Sequence, residues 1–453
     1  GRVSRIAEMK VLRAHYYFEL SRLFNKIPYF DENVEISQYP DIPNNEFTRD
    51  EILSMLAKEM LDAAELLPAS QSEVGRIHKY IALAYAAKIK LYQAYQQDET
   101  THAVTSINKE LLREVVSLCD QVTASNRYGL LDDFQGLDLV ANENGKESVF
   151  AIQYSMNDGT ESAGRINWSN LLNSPGGGSP YGGDGFFLPS QDLINAYQTD
   201  ANGLPDFNYQ SKSDYSWAVL NNGVYTLQNT TPNVDPRLDF VVGRPTITWK
   251  TYPDKPCEGW VRDKETYGYN CAKRFWVSPE SSDMFNGWPW GASQLNWQII
   301  RYADILLWKA EALIELNEGN GLETARDLIN QIRNRARNSA YVKDFNDHSK
   351  YAANYLVNPY PADVWNQDYA RQALRWETRL EKALEGERFF DLVRWGIVET
   401  TMNKYITAES DNRIYYANAH FTGGKDEYYP VPNNQYGFSG GKYVQNPGYA
   451  PFN

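Results

Sequence analysis

At 453 residues the chain exceeds the usual size of one domain, yet no Ser/Pro-rich linker or charge run divides it, so one body with elaborations is expected. Its 44 basic and 58 acidic residues leave a formal charge of −14, which repels phosphate backbones; with no basic stripe to offset it, nucleic acid is excluded as a partner. The 12 Trp and 32 Tyr lift aromatics to 14% while hydrophobics reach only 42%, so part of the aromatic content serves something other than core filling.

The first residues, Gly1-Arg2-Val3-Ser4-Arg5, run straight into a helical pattern, with neither a signal peptide nor a lipidation cysteine ahead of them, so a processed or truncated start is expected. Ile6, Met9, Leu12, Tyr16, Leu20 and Leu23 recur at helical spacing until Asn25-Lys26-Ile27-Pro28. Residues 28–47, interrupted by prolines, read as an irregular connection. Thr48-Arg49-Asp50-Glu51 has the form of a capping box, and it opens a helix with Ile52, Leu56, Met60, Ala63 and Leu67 on one stripe, stopped by Pro68. An alanine-dense segment from Arg76 to Tyr95 and the segment from Lys109 to Ala124 form a second helical hairpin. Glu147 to Tyr154 alternates and predicts a short strand.

Between residues 157 and 298 the pattern changes. The run Pro175-Gly176-Gly177-Gly178-Ser179-Pro180-Tyr181-Gly182-Gly183 excludes helix and central strand, and only Pro189 to Tyr197 keeps a helical period. This loop-rich span holds Trp168, Trp217, Trp249, Trp260, Trp276, Trp288, Trp290 and Trp297. Long irregular insertions are functional or disordered, and such aromatic density argues against disorder. From Arg301 to Arg337 two stripes, Tyr302 to Leu316 and Leu322 to Ala336, flank an Asn/Gly turn and predict another antiparallel pair. Helical segments Arg371 to Glu385 and Arg388 to Trp395 follow, hinged at Gly386. Residues 397–453 read as coil that wraps the body. No apolar run of about 18 residues is present to span a membrane as a helix.

Cys119 lies on an apolar helical face and reads as a buried thiol. Cys257 and Cys271 lie in a Gly/Tyr/Pro-rich loop, where they stay free or close a disulfide in an oxidising compartment; alone they are too few for zinc.

Taken together these blocks resemble the SusD/RagB family, outer-membrane glycan-binding lipoproteins of Bacteroidetes. The residues that carry the resemblance are Leu12-Arg13-Ala14 with Tyr16-Tyr17-Phe18, Asp235-Pro236-Arg237-Leu238, Arg301-Tyr302-Ala303-Asp304 with Ala310-Glu311-Ala312, and Asn330 with Ile332-Arg333. Most specific are Glu385-Gly386-Glu387-Arg388-Phe389-Phe390-Asp391-Leu392, Pro430-Val431-Pro432 and Gln445-Asn446-Pro447-Gly448-Tyr449. The resemblance implies a mostly α fold: one domain over residues 1–453, with four tetratricopeptide-like helix pairs, here about 4–67, 75–124, 301–337 and 371–396, in a right-handed superhelical scaffold. It also implies a ligand-binding region in the 157–298 loops, an N-terminal lipid anchor not present in this chain, a surface-exposed place on the outer membrane, and a SusC-like TonB-dependent transporter as partner. Members usually carry a further segment ahead of the Leu-Arg-Ala helix, part of which touches ligand, so the residues available here are expected to form only part of the site.

A neutral sugar in water is held by flat apolar faces that stack on its C–H surfaces, with polar groups at the rim. The segment Ser282-Asp283-Met284-Phe285-Asn286-Gly287-Trp288-Pro289-Trp290-Gly291 has that make-up, with Trp288 and Trp290 as platforms and Asp283 and Asn286 as hydrogen-bonding candidates. Trp260 and Trp276 come next, then Trp168, beside Asn167 and Asn170, and Tyr181. Trp249, Trp308, Trp376 and Trp395 read as core. Arg165, Arg244, Lys250, Arg262 and Lys273 could supply a local basic pocket. Glu385, Arg388, Asp391 and Arg394 read as a salt-bridge ladder and Arg237 as structural.

No nucleophile elbow, zinc-protease helix or phosphate loop occurs, and no pair of carboxylates can be set across a glycosidic bond from sequence. The expected function is therefore non-catalytic capture of an oligosaccharide or polysaccharide and its delivery to the transporter; the alternative is peptide capture by a RagB-like lid on the same class of transporter. An enzyme and a soluble repeat adaptor are the remaining readings. No cofactor is expected; a structural calcium ion is left open without an EF-hand spacing to support it.

Overall fold

The body is built of helices that start and stop where local chemistry dictates. The structure, a computed structural model, describes residues 1–161, 164–173, 176, 178–222, 224–227, 232–251 and 259–452. Four long helices come first: α1 (Arg2–Phe24), α2 (Arg49–Leu66), α3 (Lys79–Ala94) and α4 (Lys109–Ala124). The Thr48 hydroxyl accepts from the Glu51 amide at 3.3 Å and the Glu51 carboxylate accepts from the Thr48 amide at 2.8 Å, so the capping box is formed. Each helix packs on the next through small residues: Ala7, Ala14, Ala57, Ala63, Ala82, Ala84, Ala86 and Ala87 are all essentially buried.

The chain then leaves the scaffold on β1 (Ser148–Ile152) and returns on β2 (Trp297–Arg301), which pairs with it antiparallel from Trp297 opposite Ile152 to Arg301 opposite Ser148. The loop-rich excursion lies between these two strands and is also tied to the later helices, as by the Tyr197 hydroxyl donating to the Leu380 carbonyl at 2.9 Å. β2 runs into α5 (Tyr302–Leu316), which lies against α4 and pairs with α6 (Gly321–Asn338). Asn317 ends α5 in the left-handed conformation at φ 51°, its amide bonded to the Leu313 carbonyl, which makes the Asn/Gly reversal tight. α7 (Gln367–Glu381) packs on α5 and α6, and α8 (Arg388–Arg394) leads into α9 (Val398–Ser410). The helix α9 corrects the reading of residues 397–453 as coil. Beyond it the tail returns to α1: the Tyr429 amide bonds the Leu23 carbonyl at 2.8 Å and the Asn446 side chain bonds the Phe24 carbonyl at 2.7 Å.

Where excursion and scaffold meet, a dry network of charges joins elements far apart in sequence. Arg237 contacts Asp235, Glu377 and Glu381; Arg301 contacts Glu147, Glu381 and Glu385; Arg335 contacts Glu147 and Glu381. All of these side chains are buried. The expected ladder at 385–394 is only partly present. Arg394 pairs with Asp391 at 2.8 Å and with Glu311, whereas Glu385 turns to Arg274, Arg301 and Lys382, and Arg388 makes no ion pair among the described residues.

The network makes stability sensitive to acid. Burial alone pushes the Glu381, Glu385 and Glu387 carboxyls up, but facing cations outweigh it: Arg335, Arg301 and Arg237 at Glu381, Arg301, Lys382 and Arg274 at Glu385, and Arg22, Lys88 and Lys382 at Glu387. All three are depressed, Glu387 to about 2. A carboxyl whose folded pKa lies below its unfolded value stabilises the fold above that value and loses this as pH falls through the folded one. Glu143 and Glu409, raised by burial to about 7, act oppositely and favour the fold as pH falls from 7 toward the ordinary value of 4.5. Thermal melts against pH are therefore expected to peak near about pH 5 and to drop steeply between about 4.5 and 2. A flat profile down to pH 3 would contradict the charge network.

Cys119 is a buried free thiol whose pKa burial pushes up to about 12. Cys271 is buried, and Cys257, with any bond between the two, lies outside the described residues.

Candidate functional site

Two loop segments of the excursion come together through their backbones. Residues 283–294 fold back on themselves: the Phe285 amide bonds the Ala292 carbonyl at 2.9 Å and the Gln294 amide bonds the Asp283 carbonyl at 3.1 Å. Gly287-Trp288-Pro289-Trp290-Gly291 forms the tip, with Gly287 and Gly291 at φ 110° and 74°, values that L side chains rarely adopt. The Asn167 amide bonds the Ser293 carbonyl at 2.9 Å, which sets Trp168 beside this tip. Trp168 and Trp288 meet with ring centroids 5.0 Å apart at 76°.

The three indoles remain in solvent: Trp288 is 61% exposed, Trp290 48% and Trp168 41%. Leu172 and Phe186 extend the apolar surface, the Phe186 amide bonding the Leu172 carbonyl at 3.0 Å, and both are exposed. Leaving this much indole area in water is costly for a folded protein, and exposed aromatics on a loop held by its own backbone bonds mark a binding surface. Sequence reasoning did not single out Phe186 or Leu172. The flanking Asp184-Gly185 and Pro189 were the available signal, and they do not distinguish an exposed ring from a buried one.

The other aromatic candidates stand elsewhere. Trp260, Trp276 and Tyr181 were expected to offer stacking faces; instead they are 0%, 2% and 1% exposed and form with Trp249 and Cys271 a small core beneath the loops. Tyr181 packs edge-on against Trp249 at 5.1 Å, lies 5.2 Å from Trp276, and donates its hydroxyl to the Val277 carbonyl. With only short strands and helices such as Cys271–Ala272 and Lys264–Tyr267 among them, these loops make a core of their own from the largest side chains they have. Its work is support: Gly182, next to Tyr181, lies directly against Trp290.

The polar candidates also divide. The Asp283 carboxylate accepts from the Gln294 amide at 2.6 Å and from the Ser281 hydroxyl at 3.0 Å, one bond at each oxygen, so it staples the base of the tip while half-buried. Asn286 is exposed, with no hydrogen bond to its amide among the described residues. The expected basic pocket is not assembled. Arg244 is spent on Asp239 at 2.8 Å, Lys250 on Asp138 at 3.1 Å, and Lys273 on the Asp239 and Thr248 carbonyls, all inside the protein. Only Arg165 and Arg262 reach solvent, and each has a carboxylate near it, Asp158 at 3.3 Å and Asp184 at 3.8 Å. The shelf is thus apolar and close to neutral at its rim. Among the described residues no group of three or more His, Cys, Asp or Glu is placed to hold a metal, and no helix is long and apolar enough to cross a membrane.

Gly182 gives a direct handle on the shelf. It sits at φ 69°, and a Cβ there would stand 3.1 Å from Cγ of Trp290. Gly182→Ala is expected to cost about 1 kcal/mol of stability from the left-handed backbone and to tilt the indole, weakening ligand binding by roughly tenfold. Titration calorimetry beside a thermal melt checks both; unchanged affinity would remove Trp290 from the site.

Comparison with known proteins fits this arrangement. A model of the SusD family matches residues 146–449. A SusD-like protein of Bacteroides ovatus is 22% identical over 414 residues, covering 87% of this chain, while the chain spans 59% of that protein's length. A SusD superfamily protein from Bacteroides vulgatus superimposes with a TM-score of 0.67 at 20% identity, covering 98% of this chain and 77% of the other. Surface glycan-binding protein A from Bacteroides thetaiotaomicron, solved in complex with laminarihexaose, does so with a TM-score of 0.63 at 18% identity, covering 98% and 78%. The helical body is shared along nearly the whole chain, and the family match takes in the excursion, the ribbon that carries it and every helix after it: the chain belongs to the SusD family.

Proposed function

We propose that this protein captures an oligosaccharide or polysaccharide without altering it, by stacking pyranose rings on Trp288 and Trp290 with Trp168 at their side, and passes it to a SusC-like TonB-dependent transporter at the surface of the outer membrane. The observation that carries the reading is the exposed indoles of Trp288 and Trp290 on a loop tip, with exposed Trp168 beside it and a buried aromatic core below. Indole faces match the axial C–H surfaces of a neutral sugar, and the amide of Asn286 stands beside them for hydroxyls. The complex of a family relative with laminarihexaose supports a glycan as cargo. The one domain over residues 1–453, the lipid anchor ahead of the chain and the transporter partner rest on family membership.

Affinity electrophoresis and titration calorimetry against a panel of neutral and acidic glycans test the reading, with mass spectrometry of co-purified material alongside. Saturable binding of a glycan with no release of shorter products on prolonged incubation is the expected result. A co-purified peptide with no glycan bound would favour the peptide-capturing alternative, and product release would make the protein an enzyme.

A further inference from the structure

A second cleft, of about 410 Å³, opens between residues 214–218, residues 264–270 and the Asn412–Arg413 turn. Trp217 lines it. Its indole nitrogen donates to the Pro245 carbonyl at 3.0 Å, and one of its faces is covered by the Arg244 guanidinium at 4.6 Å. Arg244 is fully buried while Trp217 is half-buried, so the covered face is the inner one and the remaining indole surface is turned to the cleft. Tyr269 lines the same cleft, with the Lys264 ammonium 5.9 Å from its ring. Asn412 is held by the Asp214 carboxylate, which accepts from its amide at 3.2 Å and from Asn195 at 2.7 Å. The charges facing the cleft, Lys264 and Arg413 against Asp214 and Glu265, balance, so the walls select neither anion nor cation. Fixed aromatic surface, oriented amide and no net charge are what a neutral polyol requires.

We propose that this cleft is a second carbohydrate subsite, which takes a neutral pyranose residue of the captured glycan against Trp217 and Tyr269. The class of ligand rests on the reading of the tryptophan shelf; the site itself does not. The base of the shelf and the wall of the cleft are joined by one segment, residues 262–264. Arg262 donates to the Gly183 carbonyl at 2.6 Å, next to the glycine under Trp290, and is two residues from Lys264, a span of at most about 7 Å. Gly183 beside the shelf and Lys264 in the cleft wall are thus linked through Arg262, and an oligosaccharide long enough to fill both sites would gain affinity through the high effective concentration of its second half.

The test is fluorine NMR of the full chain labelled with 5-fluorotryptophan, its 12 tryptophan signals assigned by single Trp→Phe changes, titrated in turn with laminarihexaose, maltohexaose, cellohexaose and xylohexaose. At least one hexaose is expected to move the Trp217 signal, and to keep moving it, at higher concentration, in a Trp288→Ala/Trp290→Ala background. Tyr269→Ala is expected to weaken that hexaose by roughly tenfold. If a hexaose shifts Trp288 but none shifts Trp217, the cleft is no subsite and the shelf reading stands. If none shifts either indole, both fall.

Discussion

Trp288→Ala combined with Trp290→Ala is expected to weaken capture of the cognate oligosaccharide by at least about 100-fold, since truncating a central aromatic anchor costs about 2 kcal/mol or more and each 1.4 kcal/mol is tenfold. The fold should not notice. Both side chains are about half in solvent, and substitutions at exposed positions stay within about 0.5 kcal/mol, so the melting temperature should move by no more than about 2 °C. Calorimetry and a melt on the same sample separate the two effects. Trp168→Ala should cost less: it is the most covered of the three, and its contact with Trp288 at 76° makes it a side wall as much as a platform. A double variant that binds as the parent does would remove the shelf from the mechanism.

The largest expected loss of stability comes from the other end of the excursion. Arg301 is fully buried and bonded to Glu147, Glu381 and Glu385, so Arg301→Met removes one cation from three buried carboxylates and leaves them to share Arg335, Arg237, Arg274 and Lys382. Removing one partner of a buried ion pair costs about 3–5 kcal/mol, because the charge left behind pays its full desolvation. A fall in melting temperature of about 3–5 °C at pH 7 follows, since the unfolding entropy of a chain this long is about 1 kcal/mol/K. Arg301→Lys should recover little, since a single ammonium cannot replace a planar fork that bridges three acids. The deficit should shrink below about pH 4.5, where protonation relieves the stranded carboxylates. A melt of Arg301→Met within 2 °C of the parent would show that the network contributes nothing net.

The helical pairs were legible because their signal is local. Stripes at helical spacing, the Thr48 capping box and the Asn317 turn each decide their own segment, and the observed helices lie within a few residues of the expected ones. Helix α9 escaped notice because Val398, Thr400, Thr401, Ile406 and Thr407 are weak helix formers and its apolar stripe is slight. The charge network was out of reach for another reason. Arg301 meets Glu147 and Glu385 only after β1, β2 and α7 are in place, and nothing near Arg301 in sequence names its partners.

The site was half legible, and the division is physical. Trp288-Pro289-Trp290 between glycines marks a tip, where side chains have nowhere to be buried. Trp260, Trp276 and Tyr181 have equally loop-like surroundings, yet their burial depends on one another and on Trp249, a tertiary fact. Asp283 shows the same dependence on the fold: an acid beside two tryptophans reads as a ligand contact, and only the folded loop shows that it also holds Gln294 and Ser281.

A crystal structure of the protein with a bound oligosaccharide tests the central claim most directly. The account predicts a pyranose ring lying parallel to the indole of Trp288 or Trp290 at about 4 Å, the distance of dispersion contact. A ligand held elsewhere while those two indoles stay bare would contradict it.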